Sequence, residues 1–343
     1  MKNLYIDVGS TYIKYALNDG ETQQIAFPPP IRYNAYLYEV SIEAIMNIIE
    51  GIVRGSDVDR VFFSVQMHGY VLSDEDHIPV TEYISWRDTL FRSLQCGYPF
   101  SLGKNSGTAL KSNLPALSVY ARSIIFPDIV EKTAFFDTLG SYIVYRLTGK
   151  HIIHITDACP TGFYLLPSGK VNSDLVNLSY FRKITFPAAT DELCLAGMFG
   201  NTEVYLPVGD QQASAFGVGL TTQEYLFNTG TASQICCLSD SFLVGDFESR
   251  PYFGDKYLCT ITGLLGGGSC ADLSDAQEKI SEEYNEALKK LPVRSKALAT
   301  GGLVKYNEAL FKKICENFVS SYVYIEGQSA VNGLKKLSRL ICR

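Results

Sequence analysis

The sequence has only one tryptophan and four histidines, and its nine cysteines show no CxxC spacing. No apolar run reaches the length of a membrane span. An excess of basic residues is also missing: 30 Lys and Arg stand against 36 Asp and Glu, a net charge of −6. Phosphate-backbone binding draws on clustered Lys and Arg, so this balance argues against a nucleic-acid partner. Short clusters such as Lys335-Lys336 read as solvated helix faces. An odd number of scattered cysteines fits free, mostly buried thiols in a reducing cytoplasm. Cys236 and Cys237 are adjacent and would face opposite sides of a strand. The opening "MKNLYIDVGS" enters a strand pattern directly, without the apolar core of a signal peptide. His151 and His154 in "HIIH" sit among β-branched residues with no evident third ligand, which favours a structural role over a metal.

What is present suits a soluble α/β protein. At 343 residues the chain is too long for one core, so two domains are expected, here 1–204 and 205–343. Strand candidates are Asn3–Val8, Tyr12–Asn18 and Thr22–Phe27, separated by "GST" and "DGE" turns. Helical spacing follows over Glu39–Val53, with Val40, Ile42, Ile45, Ile48, Ile49 and Ile52 apolar. "RVFFSVQ" and "TAFFDT" read as buried strands, and "LGSYIVYRLTG" as a helix ended by Gly149. The segment from His68 to about Pro127 reads as irregular apart from a helix after Pro115.

A second series begins after residue 220. Strands Tyr225–Asn228, Ser233–Leu238 and Tyr257–Thr262 lead to a polar helix over 271–290. Strand Lys296–Thr300, helix Lys305–Phe318, strand Tyr322–Ile325 and a helix from Ser329 to Leu340 complete it. The first half has the same order if residues 66–115 are an insertion after its fourth strand. "LYIDVGSTYIKYAL" also lies over "YLFNTGTASQICCL" without a gap, Asp7 meeting Asn228 and Gly9 meeting Gly230. Together these suggest a duplicated βββαβα unit whose glycine hairpins offer backbone N–H groups and hydroxyls to phosphate.

One acidic residue stands out. In "PVGDQQASAFGVG" (207–219), Asp210 precedes a helical run. An aspartate there can be a plain N-cap or, facing a cleft, a general base.

In this order the motifs resemble the FGGY-type carbohydrate kinases of the actin-like ATPase superfamily, in particular xylulokinase-like and sedoheptulokinase-like members. "YIDVGSTYIKYAL" resembles the first phosphate motif, and "SVQMHGYVLSDEDHIPVTEYISWRDT" the sugar-binding stretch. "DTLGSYIVYRLTGK" and "TDACPTGFYLL" resemble the helix and loop that come next. "LPVGDQQASAFGVGL" resembles the start of the second domain and "NTGTASQI" the second phosphate motif. "GLLGGGSCADL" and "ATGGLVKYNEAL" resemble the glycine turns near the nucleotide.

The resemblance implies an α/β fold of two actin-like (ribonuclease H-like) lobes with a cleft between them. Each lobe would carry a mixed βββαβα-type sheet flanked by helices. It implies ATP and Mg²⁺ as cofactors, a sugar as substrate, a cytoplasmic setting and no membrane partner, and leaves room for a homodimer. Asp210 would be the general base, and Gln211 would bind substrate. Gln66, Met67, His68, Trp86, Arg87 and Asp88 would bind sugar. Asp7 would hold Mg²⁺ through water. Gly9, Ser10, Thr11, Lys14, Gly230, Thr231, Gly267, Gly301 and Gly302 would bind the nucleotide. Each has a plainer reading: an Asx turn at Asp7, hairpin turns that bind nothing, a solvent-facing Lys14, a structural His68, a half-buried indole at Trp86, an Arg87–Asp88 pair, and a tight βα connection at Gly301-Gly302.

Family members usually carry a long helical stretch between the last two glycine turns, with a Gly-Glu-Arg-x-Pro. Here about thirty residues join them and that motif is absent. The second lobe is therefore shortened, and a catalytically silent sugar- or nucleotide-binding protein is the alternative function. An actin-like ATPase that assembles with partners ranks last, because it has no use for "QMHG" and "SWRDT".

Overall fold

The computed structural model describes residues 1–229, 233–265, 274–327 and 329–341. The chain divides into two compact units, Met1–Ser214 with Ala330–Arg343, and Ala215–Ser329. The division falls inside helix Asp210–Val218 and not at 204/205. The final helix, Ser329–Ile341, belongs to the first unit although it ends the chain. Its apolar residues Leu334 and Leu337 recur at helical spacing, are almost fully buried, and lie beside Phe62, Phe63 and Val208. The Ser338 hydroxyl meets the Tyr5 hydroxyl at 2.9 Å.

The sheet of the first unit is built around Asn3–Val8. This strand pairs antiparallel with Tyr12–Leu17, which pairs antiparallel with Gln23–Ala26. On its other side it pairs parallel with Arg60–Val65. That strand pairs parallel in turn with Thr202–Tyr205 and Val208–Gly209. Helix Ile42–Ser56 covers the sheet with Ile42, Ile45, Met46, Ile49, Ile52 and Val53, and the Ser41 hydroxyl caps it by accepting from Ala44 N (3.3 Å). The helix starts three residues later than its apolar spacing suggested, because Tyr38–Val40 is a strand paired with Tyr83–Ile84.

That pair belongs to a five-stranded sheet that the sequence reading missed. Its other strands are Pro30–Tyr33, Tyr70–Ser73 and Phe135–Thr138. Tyr70–Ser73 and Tyr83–Ile84 are short and buried at every position, so they show no alternation to read.

The second unit repeats the opening. Glu224–Thr229 pairs antiparallel with Ser233–Ser239, which pairs antiparallel with Tyr257–Leu264. Its other side pairs parallel with Lys296–Gly301, and that strand with Ser321–Tyr324. Helices Ser274–Lys290 and Glu308–Cys315 contribute Tyr284, Phe311 and Ile314 to a core that includes Phe227 and Ile235. Residues 271–273 of the expected polar helix lie outside the described residues. No helix among the described residues is long and apolar enough to cross a membrane.

Candidate active site

Three parallel strands of the first unit end level with one another. Val8, Val65 and Gly209 are register partners. The next residues, Gly9, Gln66 and Asp210, therefore form a row at the carboxyl edge of the sheet. At about 4.8 Å per strand, Gly9 and Asp210 stand roughly 10 Å apart. The carboxyl edge of parallel strands is where open α/β sheets bind ligands.

Asp7 lies one residue back from this edge and is 6% exposed. Its Oδ1 accepts from the Ser64 hydroxyl (2.8 Å), the residue opposite it on the parallel partner. Burial raises its pKa, and Lys14, its partner on the antiparallel side, works against that rise. A desolvated carboxylate gains when a cation or a cation-bound water arrives, and Lys14 already supplies part of that compensation. The Gly9–Tyr12 turn is closed by Gly9 N donating to Tyr12 O (3.2 Å). Ser10 is half-buried and Thr11 is exposed.

Gln66, Met67 and His68 leave the edge in a sharp turn, with His68 at φ +66°, a value uncommon outside glycine. Gln66 and Met67 are buried. Neither Nε2 nor Oε1 of Gln66 has a hydrogen-bond partner among the described residues. A buried amide left this way is costly unless something else pairs with it. The turn closes against the Tyr83 hydroxyl, which lies 2.0 Å from where a Cβ on Gly69 would sit. Burial pushes the Tyr83 phenol well up, and the charges of Asp157 and Asp210 push it further.

Asp210 begins its helix, is half-buried, and accepts from Gln211 N at Oδ1 (2.8 Å). It is thus a helix-start aspartate and an edge residue at once. Gln211 is buried behind it. The strand before it is pinned from the side: Gly209 N donates to Thr156 Oγ1 (3.0 Å). Thr156 Oγ1 in turn lies 2.7 Å from His154 Nδ1, and Thr156 N donates to the same nitrogen (3.3 Å). With Nδ1 accepting, the ring proton sits on Nε2, toward Asp191 O (3.2 Å). Burial lowers the His154 pKa to about 4, so the ring stays neutral. His154 of "HIIH" is thus a buttress of the Asp210 strand.

Asp88 requires a correction. It was expected to reach sugar, but it is 1% exposed and both its oxygens are engaged inside the protein. Oδ1 accepts from Ser118 Oγ (2.9 Å) and Arg122 Nη1 (3.2 Å), and Oδ2 from Arg122 Nη2 (3.0 Å) and Tyr38 N (3.3 Å). Arg122 is fully buried and also pairs with Glu39 (3.2 Å). A buried guanidinium needs such a fork of acceptors, and it takes Asp88 away from any ligand. Arg87 does not pair with Asp88. It donates to Tyr38 Oη (3.0 Å) and lies over the Tyr38 and Trp86 rings, with both Trp86 and Arg87 half-buried.

In the second unit, Gly301 ends strand Lys296–Gly301 at φ +93°. A Cβ there would lie 2.7 Å from the Thr229 carbonyl, so the turn needs glycine both for its angle and for its closeness. Gly302 starts the short helix Gly302–Tyr306. Lys305 pairs with Glu326 (2.6 Å), and Tyr306 is 82% exposed. Gly230, Thr231 and Gly267 lie outside the described residues.

The model for the N-terminal domain of the FGGY family of carbohydrate kinases matches residues 33–217, more than half of the chain. The chain belongs to the FGGY family. A xylulose kinase of Bacillus subtilis (strain 168) is 24% identical over 230 residues, covering 62% of this chain and 46% of that protein. A glycerol kinase of Aquifex aeolicus is 25% identical over 293 residues, covering 76% of this chain and 57% of that protein. The chain thus spans about half the length of the curated relatives it matches. Among solved structures, a ligand-bound xylulose kinase from Lactobacillus acidophilus superposes with a TM-score of 0.83 at 18% identity, covering 99% of this chain and 89% of that one. The likeness bears out the actin-like fold with its mixed sheets.

In this FGGY chain, sequence reasoning missed several residues that shape the edge. Arg122 lies outside every quoted motif, and Tyr83, Thr156 and Asp157 lie within motifs but received no role of their own. The only signal for Thr156 and Asp157 was their place in "TDACPTGFYLL", read as a loop.

Proposed function

We propose that this protein transfers the γ-phosphoryl group of MgATP to a hydroxyl of a ketose such as xylulose or sedoheptulose, or of a polyol, with Asp210 as general base. The observation that carries this is the row of strand ends that aligns Gly9, Gln66 and Asp210. It sets the Gly9 turn, a buried amide without hydrogen-bond partners among the described residues and a carboxylate along one sheet edge. Relatives named xylulose kinase and glycerol kinase act on a ketose and a polyol, which bounds the acceptor class.

In this reading the Gln66 amide and the Met67-His68 turn hold sugar hydroxyls, with Trp86 and Arg87 at the rim and Gln211 behind the base. The Asp210 carboxylate takes the proton of the attacking hydroxyl as its oxygen bonds to the γ-phosphorus and the bond to ADP breaks. Lys14 and the amides and hydroxyls of Gly9, Ser10 and Thr11 meet the phosphate charge. Asp7, buried and raised in pKa, suits a magnesium ion held through water, which would offset charge on the β- and γ-phosphates. Gly230, Thr231 and Gly267 are assigned to phosphate and Gly301 and Gly302 to adenosine, on the family pattern.

The short connection between the last two glycine turns motivates a second reading, a silent kinase-like protein that binds sugar or nucleotide. Incubating the purified protein with ATP, Mg²⁺ and a panel of ketoses and polyols separates the two. The kinase reading expects sugar-dependent ADP release with at least one acceptor. Nucleotide binding without such release for any acceptor would replace it with the silent reading.

A further inference from the structure

Asp157 is a fully buried carboxyl near the row of strand ends that the mechanism above leaves without work. It sits in the short helix Ile155–Ala158 and is 1% exposed. Its Oδ2 accepts from Thr138 Oγ1 (2.6 Å), the cap of helix Leu139–Thr148, and the Gly140 amide donates to the same carboxyl. Its Oδ1 is buried without a hydrogen-bond partner among the described residues.

The place of this carboxyl matters. A Cβ on Gly140 would fall 2.5 Å from Asp157 Oδ2, 3.1 Å from Val65 Cγ2 and 3.3 Å from Pro207 Cβ. Asp157 therefore lies directly behind the two strand ends that deliver Gln66 and Asp210. Its neighbour Thr156 holds Gly209, the residue before Asp210, by accepting the hydrogen bond from Gly209 N described above.

We propose that Asp157 is a positioning residue for Asp210, a second carboxyl behind the sheet edge that sets how strong a base Asp210 is. This rests on the reading of Asp210 as base. Two carboxyls in one poorly solvated region do not ionise independently. Burial raises the Asp157 pKa to about 7, and the Asp210 charge adds to that rise although the Thr138 hydrogen bond opposes it. Other titratable groups stand around Asp157. Burial pushes the Tyr83 and Tyr164 phenols far up, and His154 stays neutral. Asp137, next to Thr138, accepts from Ser141 and lies 3.3 Å from His151. Below pH 7 Asp157 is neutral. Above it, the second negative charge raises the proton affinity of Asp210, and kcat rises.

Two measurements on the full-length protein test this. The first is kcat and KM for the accepted sugar from pH 5 to pH 9 in wild type and Asp157→Asn. Wild type is expected to show a rise in kcat through about pH 7. Asn has the same shape and never ionises, so Asp157→Asn is expected to lose that inflection while KM for sugar holds. The same inflection in Asp157→Asn overturns the proposal. The second is carbon-13 NMR titration of the Asp157 carboxyl in wild type and Asp210→Asn, which needs no turnover. Its midpoint is expected to move down when the Asp210 charge is removed. An unmoved midpoint overturns the proposal, and this arm decides if Asp157→Asn does not fold. A wild type that binds sugar but never releases ADP refutes the kinase reading instead, and leaves the carboxyl pair to be judged by NMR.

Discussion

Both units begin with a strand flanked by an antiparallel neighbour on one side and a parallel one on the other. They place different chemistry at the end of it. In the first unit the level positions are Asp7 beside Ser64, then Val8 beside Val65, followed by Gln66. In the second they are Asn228 beside Thr300, then Thr229 beside Gly301. One edge carries a buried carboxylate and an amide without hydrogen-bond partners among the described residues. The other carries neutral groups, with Thr229 Oγ1 donating to Thr300 O (2.7 Å) and a glycine pressed against the Thr229 carbonyl. The same scaffold thus serves two tasks. On the function proposed above, charge and proton transfer would fall to the first edge, and close backbone approach to a neutral ligand surface to the second.

That contrast can be broken most severely at the base. Asp210→Asn is expected to lower kcat by about 10²- to 10⁴-fold while sugar affinity and thermal midpoint hold. Steady-state kinetics beside calorimetric sugar binding checks it, and a kcat loss below about tenfold contradicts the assignment. The buried Asp88–Arg122 pair comes next. Asp88→Ala leaves the fully buried Arg122 with only Glu39 as a charged partner and is expected to cost about 3–5 kcal/mol in urea denaturation. A Trp86 or Arg87 substitution, at half-buried positions, should cost far less stability and act on sugar affinity.

The pH dependence sharpens the comparison further. Burial holds the Asp157 carboxyl at about 7, so the folded protein keeps a proton that the unfolded chain releases near pH 4. The stability from this group is complete below that lower value and is lost as pH rises through the higher one. Asp157→Asn removes a loss on the order of 4 kcal/mol between pH 4 and pH 8. Denaturation curves at those pH values check it, and parallel pH slopes for variant and wild type would count against the buried acid. The smallest effect is expected in the second unit. Gly301→Ala forces a side chain to φ +93° against the Thr229 carbonyl, for about 1–3 kcal/mol. It should weaken adenine-nucleotide binding and leave sugar affinity alone. Equal losses in both would erase the division of tasks.

Much of this was legible in the chain. The opening strands, the Gly9 turn and the helix at Asp210 are local, with turn residues and apolar spacing to mark them. The order of motifs identified the edge residues Gln66 and Asp210 without showing that they are neighbours. What was not legible depends on distant pairing. Asp88 meets Arg122 across 34 residues, and Glu39 meets Arg122 across 83. No local pattern separates a buried ion-pair aspartate from a ligand-binding one, so Asp88 was misread. The second sheet of the first unit was lost for a related reason. Its strands are short, and they run from fully buried Tyr70–Ser73 to almost fully exposed Pro30–Tyr33, so alternation does not mark them.

The most direct test of the central claim is a crystal structure with an accepted sugar and a nonhydrolysable ATP analogue. The account predicts a sugar hydroxyl within about 3.2 Å of an Asp210 carboxylate oxygen, with other hydroxyls on the Gln66 amide and the His68 turn. A sugar bound with every hydroxyl out of reach of Asp210 would contradict it.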